Sequence, residues 1–508
     1  MICEFYMDTN AEKPSPELGQ SLTTPSAADW YNYRFRVTHV CHRWREVALQ
    51  HPCLWSDIAM TSLECFRELL FRSKAVSLFL SWETLEDNTE GRDILGLIFT
   101  ELHRIKSLDL GAPNAMLKEL QGRLPKTALR LRRLGLYANN DDEDGQPIHF
   151  ISSLDLPQLE VLEVDRYPLS SSQMLLVPSL TALLLCRIPS GSDTKSLLTL
   201  LRNTPLLSSL SIWDPDGKLL VRSAETSLEP VRLLHLEALN LFCHLTLCAQ
   251  ILTDLKFPKN ICIAMYVLCY DITSETQSAR SQALINRIRT SFTSDFLRAF
   301  YIGCCANDEL PGLTFGGWSR VPRELDTPGL SPKLHLTFCG SKDSESLLAL
   351  IGRRLPLGNV TYLCVQECEY YTLSRWRSVF LRMVNVTTLH VHGGVAASLP
   401  AALHVHENPA TAAQTATPVA NDAKRRISRL FPHLQYLRLQ GVSFLKDIQE
   451  RTPDDFIEQL KKALGCRKKR RCPLAHLDVR DASNFLQADA DHLRKVVGKV
   501  TYAGTVKE

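Results

Sequence analysis

The chain has 508 residues, enough for two or three ordinary domains or for one elongated array. Its 45% hydrophobic and 22% charged residues are typical of a globular protein, and a net charge of +3 argues against a nucleic-acid binder that works by bulk electrostatics. The 16 cysteines are scattered, several inside apolar runs as at Cys186, Cys262 and Cys269, where reduced thiols act as small core residues. No apolar run reaches the roughly 18 residues of a membrane span. An intracellular protein, cytoplasmic or nuclear and without a membrane partner, is therefore expected.

In chain order the first informative stretch is "RVTHVCHRWREVALQHPCLWSDI", residues 36–58. Val37, Val40, Cys41, Trp44, Val47 and Ala48 recur at three- and four-residue steps, which predicts one helix over residues 36–50 with these side chains on one face. Pro52 ends it, and Leu54, Trp55 and Ile58 supply a second apolar cluster. Cys41 lies on the apolar face and no carboxylate orients His39 or His42, so core packing rather than a nucleophile or a metal ligand is expected there.

The run Val40, Cys41, Arg43, Trp44, Arg45, Glu46, Val47, Ala48, Leu49, Pro52, Leu54 and Trp55 resembles the carboxy-terminal half of an F-box, particularly that of the large fungal F-box families. The resemblance implies a small all-α domain over residues 1–60 whose core is Val40, Cys41, Trp44, Val47, Leu54 and Trp55. That domain would dock on a Skp-family adaptor and, through it, on a cullin. The family's usual opening, a Leu-Pro pair and a helix, has only residues 2–7 as a counterpart, so the domain is expected to be incomplete at its front.

From about residue 100 a leucine, two residues, a leucine, one residue and a leucine keep returning. "IKSLDL", "LRRLGL", "LEVLEV", "LTALLL", "LSSLSI" and "LEALNL" are followed far downstream by "VTYLCV", "VTTLHV", "LQYLRL" and "LAHLDV". The central residues of the first six triplets, 109, 135, 163, 184, 211 and 240, are spaced 26, 28, 21, 27 and 29 apart. That is the signature of leucine-rich repeats, whose period is about 20–29 residues. Each triplet reads as a short strand, and intervals such as residues 192–205 read as helices with an apolar stripe. A unit of this kind buries its face only against a neighbour, so a degenerate α/β solenoid over residues 61–508 follows. Its register is hard to follow over residues 262–360, where "FLRAFYIGC", "GLTFGG" and "KLHLTF" are strand-like. Residues 397–426, rich in Ala, Thr and Pro, read as a flexible insertion.

Side chains beside the strand leucines point away from the core. They include Tyr137, Trp213, Phe242, Tyr362, His390, His392, Tyr436, Arg438, His476 and Arg480. Aromatic and arginine side chains are favoured interface anchors, so this surface is the candidate site for an unknown protein target. The basic run Arg467, Lys468, Lys469, Arg470 and Arg471 reads either as a nuclear-import signal or anion-binding patch, or as a solvated turn between repeats. No phosphate-binding loop, dinucleotide fingerprint, nucleophile elbow or zinc-protease motif is present, and no catalytic residue, cofactor or metal is expected. An F-box followed by leucine-rich repeats implies the substrate-recognition subunit of an SCF-type (Skp–cullin–F-box) E3 ubiquitin ligase. The alternative is a leucine-rich scaffold whose F-box has decayed.

Overall fold

The computed structural model describes residues 36, 38–82, 84–120, 127–138, 154–167, 177–189, 192, 194–219, 229–269, 274–305, 312–322, 331–341, 344–366, 372–404, 430–442, 444, 456–483 and 485–503. A helix, His42–Gln50, and a 3-10 turn, Pro52–Trp55, lead into one seventeen-stranded sheet. Its first strands are β1 (Asp57–Ala59), β2 (Leu78–Trp82), β3 (Ile105–Gly111), β4 (Arg133–Tyr137), β5 (Val161–Asp165), β6 (Ala182–Cys186) and β7 (Ser209–Asp214). After the two-residue β8 (Val231–Arg232) comes β9 (Ala238–His244). The two-residue β10 (Leu255–Lys256), which pairs with β8, precedes β11 (Cys262–Leu268). Apart from β8 and β10, each strand lies parallel to the one before it.

All ten leucine triplets fall on strands of this sheet, because alternate aliphatic side chains enter one face. Leu108 and Leu110, Leu134 and Leu136, Leu239 and Leu241, and Leu437 and Leu439 are buried in one continuous core. Helices such as Leu63–Ser73, Thr89–Glu101, Thr194–Arg202 and Leu245–Asp254 supply its other wall. The fold is the solenoid that the repeat period predicts, with the opposite face of the sheet left open.

The order breaks where the sequence loses its register. Beyond helix Ser274–Ser291 lie β12 (Ala299–Cys305), β13 (Gly312–Trp318) and β14 (Leu334–Cys339), and β14 rather than β12 pairs with β11. β13 runs antiparallel to both β14 and β12, and β12 passes the ladder on to β15 (Tyr362–Gln366). The three strands therefore form a meander laid backwards into a parallel ladder. Because β12 and β14 keep the common direction, β16 (Thr388–His392), β17 (Tyr436–Gln440), β18 (His476–Arg480) and β19 (Lys499–Ala503) continue it in parallel.

Three boundaries move. The helix expected over 36–50 is interrupted: Arg36 and Thr38 are helical, Val40 lies in a bend, Cys41 is extended (φ −160°, ψ 171°), and the helix resumes at His42, with Val37 outside the described residues. The division at residue 60 shifts forward: β1 pairs with β2, and Trp55 and Ile58 join the solenoid core with Phe66 and Trp82. Pro52 explains this, since it stops the helix and opens the tight turn that seats Trp55. The insertion expected from residue 397 starts later, because helix Leu399–Leu403 buries Leu399, Pro400, Ala402 and Leu403; residues 405–426 lie outside the described residues. Residues 1–35 of the expected docking domain lie outside them too.

Candidate protein-interaction face

The amino-terminal segment differs from the core role expected of it. Val40 is 64% exposed, Trp44 42% and Val47 54%, and Cys41 is exposed as well. Helix His42–Gln50 buries only Ala48, whose carbonyl accepts the indole Nε1 of Trp55 at 3.0 Å. Trp55, at 1% exposure, packs in the first turn of the solenoid with the Arg72 guanidinium 5.0 Å over its ring, and Leu54 lies half-buried against the same core. Of the six expected core residues, Leu54 and Trp55 therefore belong to the solenoid, while Val40, Cys41, Trp44 and Val47 stay exposed outside it.

Pairing register lines up the side chains of the open face in rows across the strands. Trp213, Phe242 and Tyr266 stand side by side on β7, β9 and β11. Trp213 stacks on Phe242 with ring centres 4.5 Å apart, Tyr266 follows at 5.8 Å, and His335 of β14 continues the ladder at 5.3 Å. Burial lowers the His335 pKa, which keeps its ring neutral at neutral pH. Toward the amino terminus the row becomes polar. Tyr137 sits among Asp109, Glu163 and Arg133, with Arg133 2.8 Å from Glu163 and 3.5 Å from Asp109. A Cβ on Gly135 would lie 2.3 Å from Asp109 Oδ1 and 2.9 Å from Tyr137 Oη, so any larger residue there would displace these side chains. Burial raises the Tyr137 phenol, and the Asp109 and Glu163 carboxylates add to the shift. Burial also raises Glu163, against the pull of Arg133. Next in the row, Asp165 is bound through both oxygens by Arg187.

The last four strands carry a polar web centred on Asp478. Its Oδ2 accepts from Tyr436 Oη at 2.7 Å and from the Nε atoms of Arg438 and Arg480, each at 3.0 Å. Its Oδ1 accepts from Thr501 at 2.9 Å. Burial alone would raise this carboxyl; the Tyr436 and Thr501 hydrogen bonds and the charges of Arg480 and Arg438 prevail and hold it below its ordinary value. His390, paired in register with Arg438, meets Gln440 Oε1 at 3.0 Å. Burial, reinforced by Arg438, takes its pKa down to about 4. Tyr436, His476, Asp478, Arg480, Thr501 and Tyr502 line a basin of ≈ 630 Å³ here.

All ten side chains expected from the sequence to point away from the core stand on the open face. The structure joins Trp213 to Phe242, and it joins Tyr436, Arg438 and Arg480 through Asp478. Tyr362 lies two strands from Tyr436, with Thr388 between them. Sequence reading missed Tyr266, His335, Asp478 and Thr501. Asp478 was findable: it is the central residue of "LAHLDV", in step with Arg438 of "LQYLRL".

The basic run is not one solvated turn. Helix Phe456–Lys469 takes in its first three residues. Arg467, 1% exposed, donates to the carbonyls of Leu430 (3.1 Å) and Phe431 (2.8 Å), and Lys468 reaches the Lys495 carbonyl at 3.1 Å. An extended import signal would need this helix end undone; Arg467 leaves the run, and Lys468, Lys469, Arg470 and Arg471 stay in it. Among the described residues no His, Cys, Asp and Glu cluster could hold a metal ion, and no helix is long and apolar enough to cross a membrane.

No protein-family model matches the chain, and no curated protein sequence matches it. Among solved structures, the leucine-rich repeat-containing protein LegL7 from Legionella pneumophila aligns at 12% identity over 64% of this chain and 84% of its own, with a TM-score of 0.23. The complex of Rad7 and Elc1 from yeast aligns at 12% identity over 99% of this chain and 97% of that one, with a TM-score of 0.27. At these scores neither likeness bears on function.

Proposed function

We propose that the chain is the non-catalytic substrate-recognition subunit of an SCF-type ubiquitin ligase. Helix His42–Gln50 docks on a Skp-family adaptor, and through it on a cullin, while the open face of the sheet holds a protein target. The observation that carries this reading is that Val40, Trp44 and Val47 are exposed on a segment tied to the solenoid by the Ala48–Trp55 hydrogen bond. Apolar side chains left in water beside a rigid core are suited to burial against a partner. The rigid link then makes transfer a matter of proximity, since a target on the face shares one frame with whatever the helix binds.

A second reading, a leucine-rich scaffold with no ligase role, draws support from Leu54 and Trp55, which serve the solenoid rather than a separate docking domain. Recovery of a Skp-family adaptor on the immobilised full chain separates the two. The ligase reading expects recovery by wild type and its loss in Trp44→Ala. Equal recovery from both, or none from wild type, would overturn it in favour of the scaffold.

A further inference from the structure

The basin at the carboxy-terminal end of the open face is built for a ligand of definite charge. We propose that it is a receptor for a single carboxylate, the aspartate or glutamate side chain of a partner protein, gripped by Arg480 with Arg438 behind it. The inference rests on reading the open face as protein-binding, and it names the chemistry of the partner.

Preorganisation is the first support. Asp478 is buried and takes the Nε of Arg480 and the Nε of Arg438 on one oxygen. Arg480 is thus held by its inner nitrogen, while its Nη1 and Nη2 make no hydrogen bond among the described residues and the side chain lines the basin. A guanidinium fixed at Nε presents two outward N–H groups in the fork that matches a carboxylate. The ordering cost is already met within the fold, which raises the affinity left for a partner.

Charge is the second support, and it selects among anions. Among the described residues, Arg438, Arg480 and the exposed Lys499, in register with His476, are the cations of this end. Asp478 and Asp481 oppose them, and Asp481 accepts from Gln440 at 3.0 Å. His390 and His476 add no charge at neutral pH: burial lowers both, helped by Arg438 at the first and Lys499 at the second. Three cations against two carboxylates leave one positive charge. A singly charged carboxylate neutralises it, whereas a doubly charged phosphate would face Asp478 and Asp481 with charge left over.

Oriented peptide libraries test the proposal on the full chain, each with one fixed residue (glutamate, glutamine or phosphoserine) among degenerate flanks. Wild type should retain the glutamate library about tenfold over the glutamine one. Arg480→Ala should abolish that preference, and Arg480→Lys should lose most of it, since an ammonium keeps the charge without the fork. Equal retention of glutamate and glutamine, stronger retention of phosphoserine, or full preference in Arg480→Lys would each overturn the receptor. Should Arg480→Ala fail to fold, by circular dichroism, Arg480→Lys decides. Adaptor recovery is measured on the same preparations. Lost acid selection with intact recovery removes the receptor alone, and lost recovery with intact selection removes only the ligase reading.

Discussion

Two neighbouring segments, helix His42–Gln50 and residues 52–59, carry the same kind of apolar residue and end in opposite surroundings. In the second, Trp55 and Ile58 are sealed into the solenoid, where β1 pairs with β2 and helix Leu63–Ser73 contributes Phe66 to the same core. In the first, only Ala48 is buried, and Trp44 and Val47 stay in contact with water. Apolar periodicity reports that a face is destined for burial; it does not say whether the cover belongs to the same chain or to another. The two tryptophans make the contrast measurable.

The largest effect is expected at Trp55. Replacing it with alanine empties a closed pocket and leaves the Ala48 carbonyl with only the His51 N–H as donor, a loss of about 3–5 kcal/mol. In a solenoid the damage should concentrate at that end. Hydrogen exchange should therefore show lost protection across β1, β2 and β3 and little change in β17 and β18. Unchanged protection in β1 would put Trp55 in the same class as Trp44 and erase the contrast.

Arg467 repeats the contrast within a charge run. Arg467→Ala removes the guanidinium from the Leu430 carbonyl and leaves the Phe431 carbonyl only the Leu434 N–H, at an expected cost of about 1.5–3 kcal/mol in urea denaturation. Lys469→Ala, on the same helix, should cost less than about 0.5 kcal/mol. Similar values for the two would return Arg467 to the solvated run.

These pairs mark where sequence reading stops. The ten leucine triplets were legible because burial of alternate residues leaves a period that needs no partner to be recognised. The meander of β12, β13 and β14 was not, since period-two alternation looks the same in parallel and antiparallel strands. "FLRAFYIGC", "GLTFGG" and "KLHLTF" could be read as strands, but not that the third lies beside β11. The open face was legible by position, as Trp213, Phe242, Arg438 and Arg480 illustrate. What joins them was not: Asp478 bonds residues from three strands, and that depends on register set by the stacking of repeats. Arg467 and Lys469 carry the same charge two residues apart, and only the tertiary position of the Leu430 and Phe431 carbonyls separates them.

Asp478 should give a smaller, pH-dependent effect. Its carboxyl is held below its ordinary value, so its stabilisation is present above the unfolded-chain value of about 3.9 and is lost as the pH falls through the lower folded value. Asp478→Asn should therefore be less stable than wild type by about 1–2 kcal/mol at pH 7. The two denaturation curves should converge in strong acid. A gap that persists unchanged at pH 2 would mean that packing, not the charged hydrogen bonds, holds Arg438 and Arg480 in place.

The smallest stability change belongs to the residue with the largest proposed role. Trp44 is exposed, so Trp44→Ala should shift the denaturation midpoint by less than about 0.5 kcal/mol and leave protection in β1 intact. A tryptophan at the centre of an interface, by contrast, commonly supplies 2 kcal/mol or more of binding, so adaptor recovery should fall by about thirtyfold. Trp55→Ala ought to reverse the ratio, with large destabilisation and a loss of recovery that follows unfolding. A Trp44→Ala chain that is as stable as wild type and still recovers the adaptor would leave the exposed surface without its proposed partner. One that unfolds would show that Trp44 and Trp55 are buried alike in solution, and the contrast between the two segments would disappear.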